Sequence, residues 1–255
     1  MSWNFWQHRA KAKKPLGNKE VEEKEDCAMG KMDEQIVVVP RRVLFGEREI
    51  YAFQGLLTDP DDVRVVLMNM TMDARLMRRG DAEENPAYKQ PIPYVVLRQK
   101  GTGKIYVYER LSGSGETRLH NKLSIGVGGH MQKLFDSETF GSVLAGETMR
   151  ELTEELLLRR PDGTEIVFGH GHMPVEDRGV MALINDDING VGRVHIGLLT
   201  LLELDESIQV EVREKDQLRG FWTDVSELTK PQFYARLESW SQFAIDYLKE
   251  EDVSA

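Results

Sequence analysis

Residues 146–158, GETMRELTEELLL, set four glutamates among helix-forming neighbours and run straight into three leucines. At about 100° per residue, with Glu147 at zero, Glu151 falls near roughly 40°, Glu154 near roughly −20° and Glu155 near roughly 80°. All four carboxylates share one side. Ala145, Met149, Leu152 and Leu156 fall between about 140° and 200°, which predicts that the opposite side is buried. The i,i+4 pairs Glu147 with Glu151 and Glu151 with Glu155 cost a few tenths of a kcal/mol each, and only Arg150 lies near enough to offset them. A chain folded around this helix therefore presents either a solvated acidic face or a cation site. Oxygen ligands at i, i+3 and i+4 suit Mg²⁺ or Mn²⁺, which keep several waters and bridge carboxylates to substrate phosphates.

The elements around that helix predict an α/β chain. IVVVP at 36–40 has the β-branched run of a buried strand. DDVRVVLMNMTMDARLMRR, from Asp61, predicts a helix with an aspartate near its start. PYVVLRQKGTGKIYVYER predicts two strands around Gly101-Thr102-Gly103, and KLSIGVGG a short strand ending in glycines. After the glutamate helix, TEIVFGHGH, GVMALIN and VGRVHIGLLTLLEL read as strands and GFWTD as a short one. KPQFYARLESWSQFAIDYLKEE reads as a C-terminal helix with Pro231 in its first turn. A sheet with flanking helices follows, with no internal repeat.

With 255 residues, 40% of them hydrophobic, the chain can build a sizeable core. The net charge of −10 argues against broad binding to nucleic acid, which requires a basic surface. The single cysteine, Cys27, excludes an intramolecular disulfide and a Cys-based zinc cluster, so a reducing compartment, the cytosol, is expected. No apolar run approaches the roughly 20 residues of a membrane helix. Residues 1–34 pass from a basic block beside Trp3, Phe5 and Trp6 to EVEEKED, and are expected to form a mobile charged tail. The expected organisation is that tail followed by one domain over 35–255: an N-terminal extension at 35–90, a core at 91–230 and a closing helix at 231–255.

RELTEE, Arg150 to Glu155, preceded by GVGGH at a strand end, resembles the signature of the Nudix hydrolases. In that family a Gly, five residues, a Glu, seven residues and then Arg-Glu-aliphatic-x-Glu-Glu-x-Gly-aliphatic form a loop-helix-loop element. Arg150, Glu151, Leu152, Glu154, Glu155 and Leu158 fit it. SIGVGGH and VGRVHIG also resemble segments of one Nudix subgroup, and the likeness covers about residues 35–248. The resemblance implies a Nudix-type α/β/α sandwich with a mixed sheet. It implies Mg²⁺ or Mn²⁺ on Glu151, Glu154 and Glu155, with Arg150 orienting the carboxylates and a backbone carbonyl of Gly128-Gly129 completing the shell. It further implies hydrolysis of a phosphoanhydride in a nucleoside diphosphate linked to another group.

The chain departs from that signature in three ways. Ser142 stands eight positions before Arg150 in place of glutamate, about seven extra residues near KLFDSET intervene, and Leu157 replaces the glycine that ends the helix. Glu147 is the candidate replacement partner for Arg150. Without the glycine, the helix is expected to run on to Arg159-Arg160 and stop at PDG, 161–163. Around the site, Glu116, Arg118, His120, His130, Arg193 and His195 lie on segments bordering the glycine strand end. Arg118, His120, His130, Arg193 and His195 are the candidate phosphate contacts, with a surface position as the alternative for each. Nudix enzymes often draw a further carboxylate from a later loop, and Glu214 is preferred over Glu211 because it precedes GFW outside an apparent strand. The catalytic set expected is Arg150, Glu154, Glu155 and Glu214. A nucleotide is the expected partner, and a homo-oligomer is compatible with the sequence. Isopentenyl-diphosphate isomerase chemistry needs a cysteine in the fold, where this chain has none. A non-catalytic nucleotide sensor or interaction module is the alternative from another class, suggested by Ser142, Leu157 and the tail.

Overall fold

The computed structural model describes residues 30–111, 122–134, 139–166 and 175–254, the side chains of 175–178 and 251–254 excepted. The expected tail up to residue 29, most of the expected TEIVFGHGH strand, and Glu116, Arg118 and His120 lie outside the described residues.

In chain order the elements are β1 (Gln35–Pro40), α1 (Arg41–Leu44), β2 (Gly55–Leu57), α2 (Pro60–Met72), β3 (Arg75–Arg78), α3 (Arg79–Glu83), β4 (Tyr88–Gln99) and β5 (Ile105–Arg110). Then come β6 (Leu123–Ser124), β7 (Gly126–Val127), α4 (Phe140–Glu155), β8 (Leu156–Arg159) and β9 (Val175–Asn185). The chain closes with β10 (His195–Leu204), β11 (Gln209–Val212), β12 (Leu218–Thr223), α5 (Val225–Leu228), α6 (Pro231–Tyr234) and α7 (Ser239–Ser254).

The central sheet is mixed, in the order β12-β5-β4-β10-β9-β2, with β4 and β10 parallel and the other neighbours antiparallel. The parallel pair is covered on both faces, which is why its sequences are almost continuously apolar. Along β4, Tyr94 and Val96 pack with Ala244, Ile245 and Leu248 of α7. The alternate residues Val95 and Leu97 pack with Leu152 of α4. The period of two thus sends neighbouring side chains into opposite helical layers, giving an α/β/α sandwich. The segment 35–90 joins the same sheet, since β1 pairs with β4 and β2 with β9.

Two expected helices end early and a third is interrupted, each because a backbone pairing displaces a helical turn. α2 begins on the Asp59 cap, whose carboxylate accepts from Asp61 N and Asp62 N, and stops at Met72. Residues 75–78 then pair with β1 and cover an edge that would otherwise be open. The C-terminal helix is interrupted at 235–238, where Leu123 N donates to Arg236 O and Glu238 N to Leu123 O. The glutamate helix ends at Glu155 instead of Arg160, and Leu156 is already extended at φ −121°, ψ 153°. Leu156 and Leu158 are buried while Leu157 and Arg159 are half-buried, the alternation of a strand, and β8 pairs antiparallel with β11.

Candidate functional site

α4 starts on Thr139, whose hydroxyl accepts from Ser142 N at 3.2 Å, so Ser142 occupies the first turn. The helix does not turn its whole acidic side to solvent. On the opposite side Leu152 and Leu156 are buried as expected, whereas Ala145 and Met149 are only half-buried; Glu147 and Glu151 are each only 7% exposed. The cause is the glycine strand end beside it. A Cβ on Gly129 would overlap the Glu151 carboxylate, and one on Gly128 would overlap the carbonyl of Pro93. Gly128 lets the strand end close on β4, and Gly129 lets it close on the helix against Glu151.

Arg150 ties this arrangement together. Its Nη2 is 2.9 Å from Glu147 Oε2 and 2.6 Å from Glu151 Oε1, and its Nη1 is 3.2 Å from Glu154 Oε2. Nη2 also donates to the carbonyl of His130 at 2.8 Å. Glu147 Oε2 accepts in addition from Gln132 N at 3.1 Å. Glu147 thus holds the arginine from one turn earlier on the helix, while Ser142 sits at the cap.

Glu155 is half-buried, and among the described residues it has no ion-pair partner. Burial pushes its carboxyl up to about 7; Glu151, Glu214 and Glu154 repel its charge, and Arg110 offsets only part. Burial likewise raises Glu151, against the pull of Arg150. Glu154 and Glu214 are exposed. Glu214 reaches the site because Arg213 N donates to Glu155 O at 2.9 Å. The Arg213 guanidinium donates to Thr153 O at 2.6 Å and Leu156 O at 3.1 Å, satisfying carbonyls that a glycine cap would otherwise serve. An all-oxygen set with excess negative charge and one carboxyl held near 7 fits a hard divalent cation.

His130, which follows Gly129 in the chain, comes together with His195. Their Nε2 atoms are 3.1 Å apart, and Glu83 Oε1 lies 3.5 Å from the first and 3.8 Å from the second. These three residues are spaced to hold a divalent metal. His195 is buried, and its Nδ1 donates to Val191 O at 2.6 Å. Burial lowers its imidazole to about 4, keeping it neutral. The hydrogen bond from His130 keeps the Glu83 carboxyl low despite burial. Arg193 is exposed in the turn before β10.

Sequence reasoning missed Glu83, Lys89, Asp187 and Arg213. Lys89 is fully buried, with Nζ 2.8 Å from Asp187 Oδ1 and bonded to Gly192 O at 2.9 Å and His195 O at 3.2 Å. Asp187 also binds Arg41 through both oxygens at 2.8 Å. The acid-rich loop NDDING was the one available signal for Asp187; nothing in GDAEEN distinguished Glu83 from its neighbours.

No family model matches the chain. Among solved structures, the chain is similar to Tm1382, described as a proposed Nudix hydrolase, with 25% identity and a TM-score of 0.62, covering 85% of this chain and 99% of that one. With the RELTEE helix set against a glycine strand end in an α/β/α sandwich, the chain belongs to the Nudix hydrolase superfamily. It is also similar to protein YmaB of Bacillus subtilis (strain 168), 47% identical over 221 residues, which are 87% of this chain and 100% of that protein. Among the described residues no helix is long and apolar enough to cross a membrane.

Proposed function

We propose that the chain is a Mg²⁺- or Mn²⁺-dependent hydrolase of a phosphoanhydride bond in a nucleoside diphosphate linked to another group. The carrying observation is Arg150, which orders Glu147, Glu151 and Glu154 while Glu155 stands beside Glu214 without a partner cation among the described residues. Glu151, Glu154 and Glu155 would hold the cation, with a carbonyl of the Gly128-Gly129 pair beside them. When bound, such an ion neutralises charge on the bridging phosphates and lowers the pKa of the attacking water.

The protein's own groups supply the rest. Arg150 keeps the carboxylates in register with the strand end, and Gly129 leaves room for Glu151 to point into the site. Glu214, exposed on a loop pinned to the helix end, is the candidate base for the proton of water. Arg193, exposed in the turn before β10, is proposed as a phosphate contact, with Arg118 and His120 as further ones.

The test is a Mg²⁺-dependent screen of nucleoside triphosphates, dinucleotides, nucleotide sugars and capped RNA, with products resolved by chromatography. Metal-dependent release of a nucleoside monophosphate or inorganic phosphate product is expected. Saturable nucleotide binding with no turnover of any class would instead support the non-catalytic sensor, the reading that Ser142 and Leu157 leave open.

A further inference from the structure

We propose that Glu83, His130 and His195 form a second metal site, separate from the glutamate helix and selective for a borderline divalent ion such as Zn²⁺. The three facing atoms, Glu83 Oε1 and the two Nε2, are separated by 3.1, 3.5 and 3.8 Å. A triangle with those sides has a circumradius of about 2.0 Å, so one point lies about 2.0 Å from every donor, the length of a Zn–N or Zn–O bond. The donor chemistry differs from that of α4. Two imidazoles and one carboxylate suit zinc, cobalt, nickel or iron, whereas an all-carboxylate set suits magnesium.

The tautomer of His195 supports the assignment, and His130 Nε2, which donates to Glu83, would give up its proton to the ion. Val191 O can only accept, so the 2.6 Å contact places the proton of His195 on Nδ1 and leaves a lone pair on Nε2. A backbone carbonyl fixing the far nitrogen is the usual support of a metal-bound imidazole. Arg79 Nε lies 3.5 Å from the same Glu83 oxygen, an ion pair without a hydrogen bond. Lys89 approaches the carbonyl of His195, not its ring, and its charge is met by Asp187.

A further polar group stands nearby without a partner. Gln90 pairs in register with His195 across β4 and β10, which puts the two side chains on one face of the sheet. Gln90 is fully buried, and neither its Oε1 nor its Nε2 has a hydrogen bond. Such a group is rare unless something else, a water or an ion's ligand, satisfies it. The site is assembled from distant parts of the chain. Glu83 ends α3, His195 opens β10, and His130 is fixed between the Arg150 bond to its carbonyl and the Val37 N to Met131 O bond at 2.7 Å. An ion there would clip the segment 35–90 to the sheet.

The experiment strips the full chain with chelator, saturates it with Mg²⁺ and titrates Co²⁺ as a spectroscopic substitute for zinc. One equivalent should bind and give visible ligand-field bands, displaced by Zn²⁺ but not by more Mg²⁺. Glu83→Gln and His195→Gln should each weaken Co²⁺ binding by more than about tenfold, while Glu154→Gln should leave it unchanged. Because His195→Gln could fail to fold, imidazole ¹⁵N spectra of the wild type give an independent reading. Both Nε2 resonances should move on adding Zn²⁺. Absent cobalt bands, bands indifferent to both variants, or unmoved Nε2 resonances would each reduce the cluster to a hydrogen-bonded chain and overturn the proposal.

Discussion

Arg150 Nη2 lies 2.8 Å from the carbonyl oxygen of His130, a main-chain atom twenty residues earlier in the chain. The same nitrogen touches Glu147 and Glu151, so one guanidinium locks the helix to the glycine strand end as well as to its own carboxylates. The guanidinium reaches Glu154 through Nη1 and Glu147 through Nε as well, and an ammonium, a single nitrogen without the planar fork, cannot serve all of these at once. Arg150→Lys should lower stability by about 2 kcal/mol and turnover by at least about tenfold, as expected when charged hydrogen bonds are lost and ligands are left unsupported. Urea denaturation beside an activity assay measures both. A variant equal to wild type in both would show that the network is idle.

Glu154→Gln or Glu155→Gln removes a negative charge at nearly constant shape. Turnover should fall by orders of magnitude. The metal-free melting temperature should hold or rise slightly as like-charge repulsion is relieved, while the stabilisation from added Mg²⁺ should shrink. Paired melts with and without Mg²⁺ at matched ionic strength test this. Wild-type turnover together with an unaltered Mg²⁺ shift would leave these residues as a helix surface.

Leu157 sits in β8 opposite Glu211, not at a helix terminus. Restoring the glycine of the family signature should therefore not help. Leu157→Gly is expected to cost about 1 kcal/mol, from the loss of strand propensity and a half-buried side chain, and to leave turnover equal or lower. A stabilised, faster Leu157→Gly variant would mean that the helix terminus is formed differently.

Much of the architecture was legible because it depends on local patterning. The β4–β5 hairpin, the long apolar β10 and the single-sided glutamates follow from periods of two and of 3.6. Each helix terminus that was misplaced depends on a partner far away in sequence: β1 for residues 75–78, Leu123 for 235–238 and β11 for 156–159. A run such as LLLR fits either period, and only the presence of β11 decides it. Arg150 and its glutamates were readable because they lie within two turns of one helix. Glu83 was not, because α3 meets His130 and His195 only in three dimensions. The histidines themselves were singled out, but the spacing that makes them candidate ligands is invisible in one dimension.

The Asp187 carboxyl lies below its ordinary value of 3.8: burial opposes ionisation, but hydrogen bonds from Arg41, Lys89 and Asn185 outweigh it. Its contribution to stability is therefore full above the unfolded value and is lost as pH falls through the folded one. Asp187→Asn leaves the buried Lys89 ammonium without its counter-charge and should cost about 3 kcal/mol at neutral pH. The gap between variant and wild type should narrow as pH falls below about 4. Denaturation curves collected from pH 7 to pH 3 give the slope, and a gap that widens on acidification would contradict the assignment.

Two of the three proposed ligands, Glu154 and Glu155, occupy the final turn of α4, the part of a helix that normally frays first. Here the chain passes without a break into β8, and Arg213 binds the carbonyls of Thr153 and Leu156 through its side chain and that of Glu155 through its backbone. A terminus spliced into a strand cannot unwind without also breaking the β8–β11 ladder. Local opening at these carboxylates thus becomes part of a larger cooperative unit. The amides of residues 154–158 should then exchange with solvent at one common rate, slower than the exposed first turn at Ser142, so that the helix is most persistent at the end where its charge is greatest.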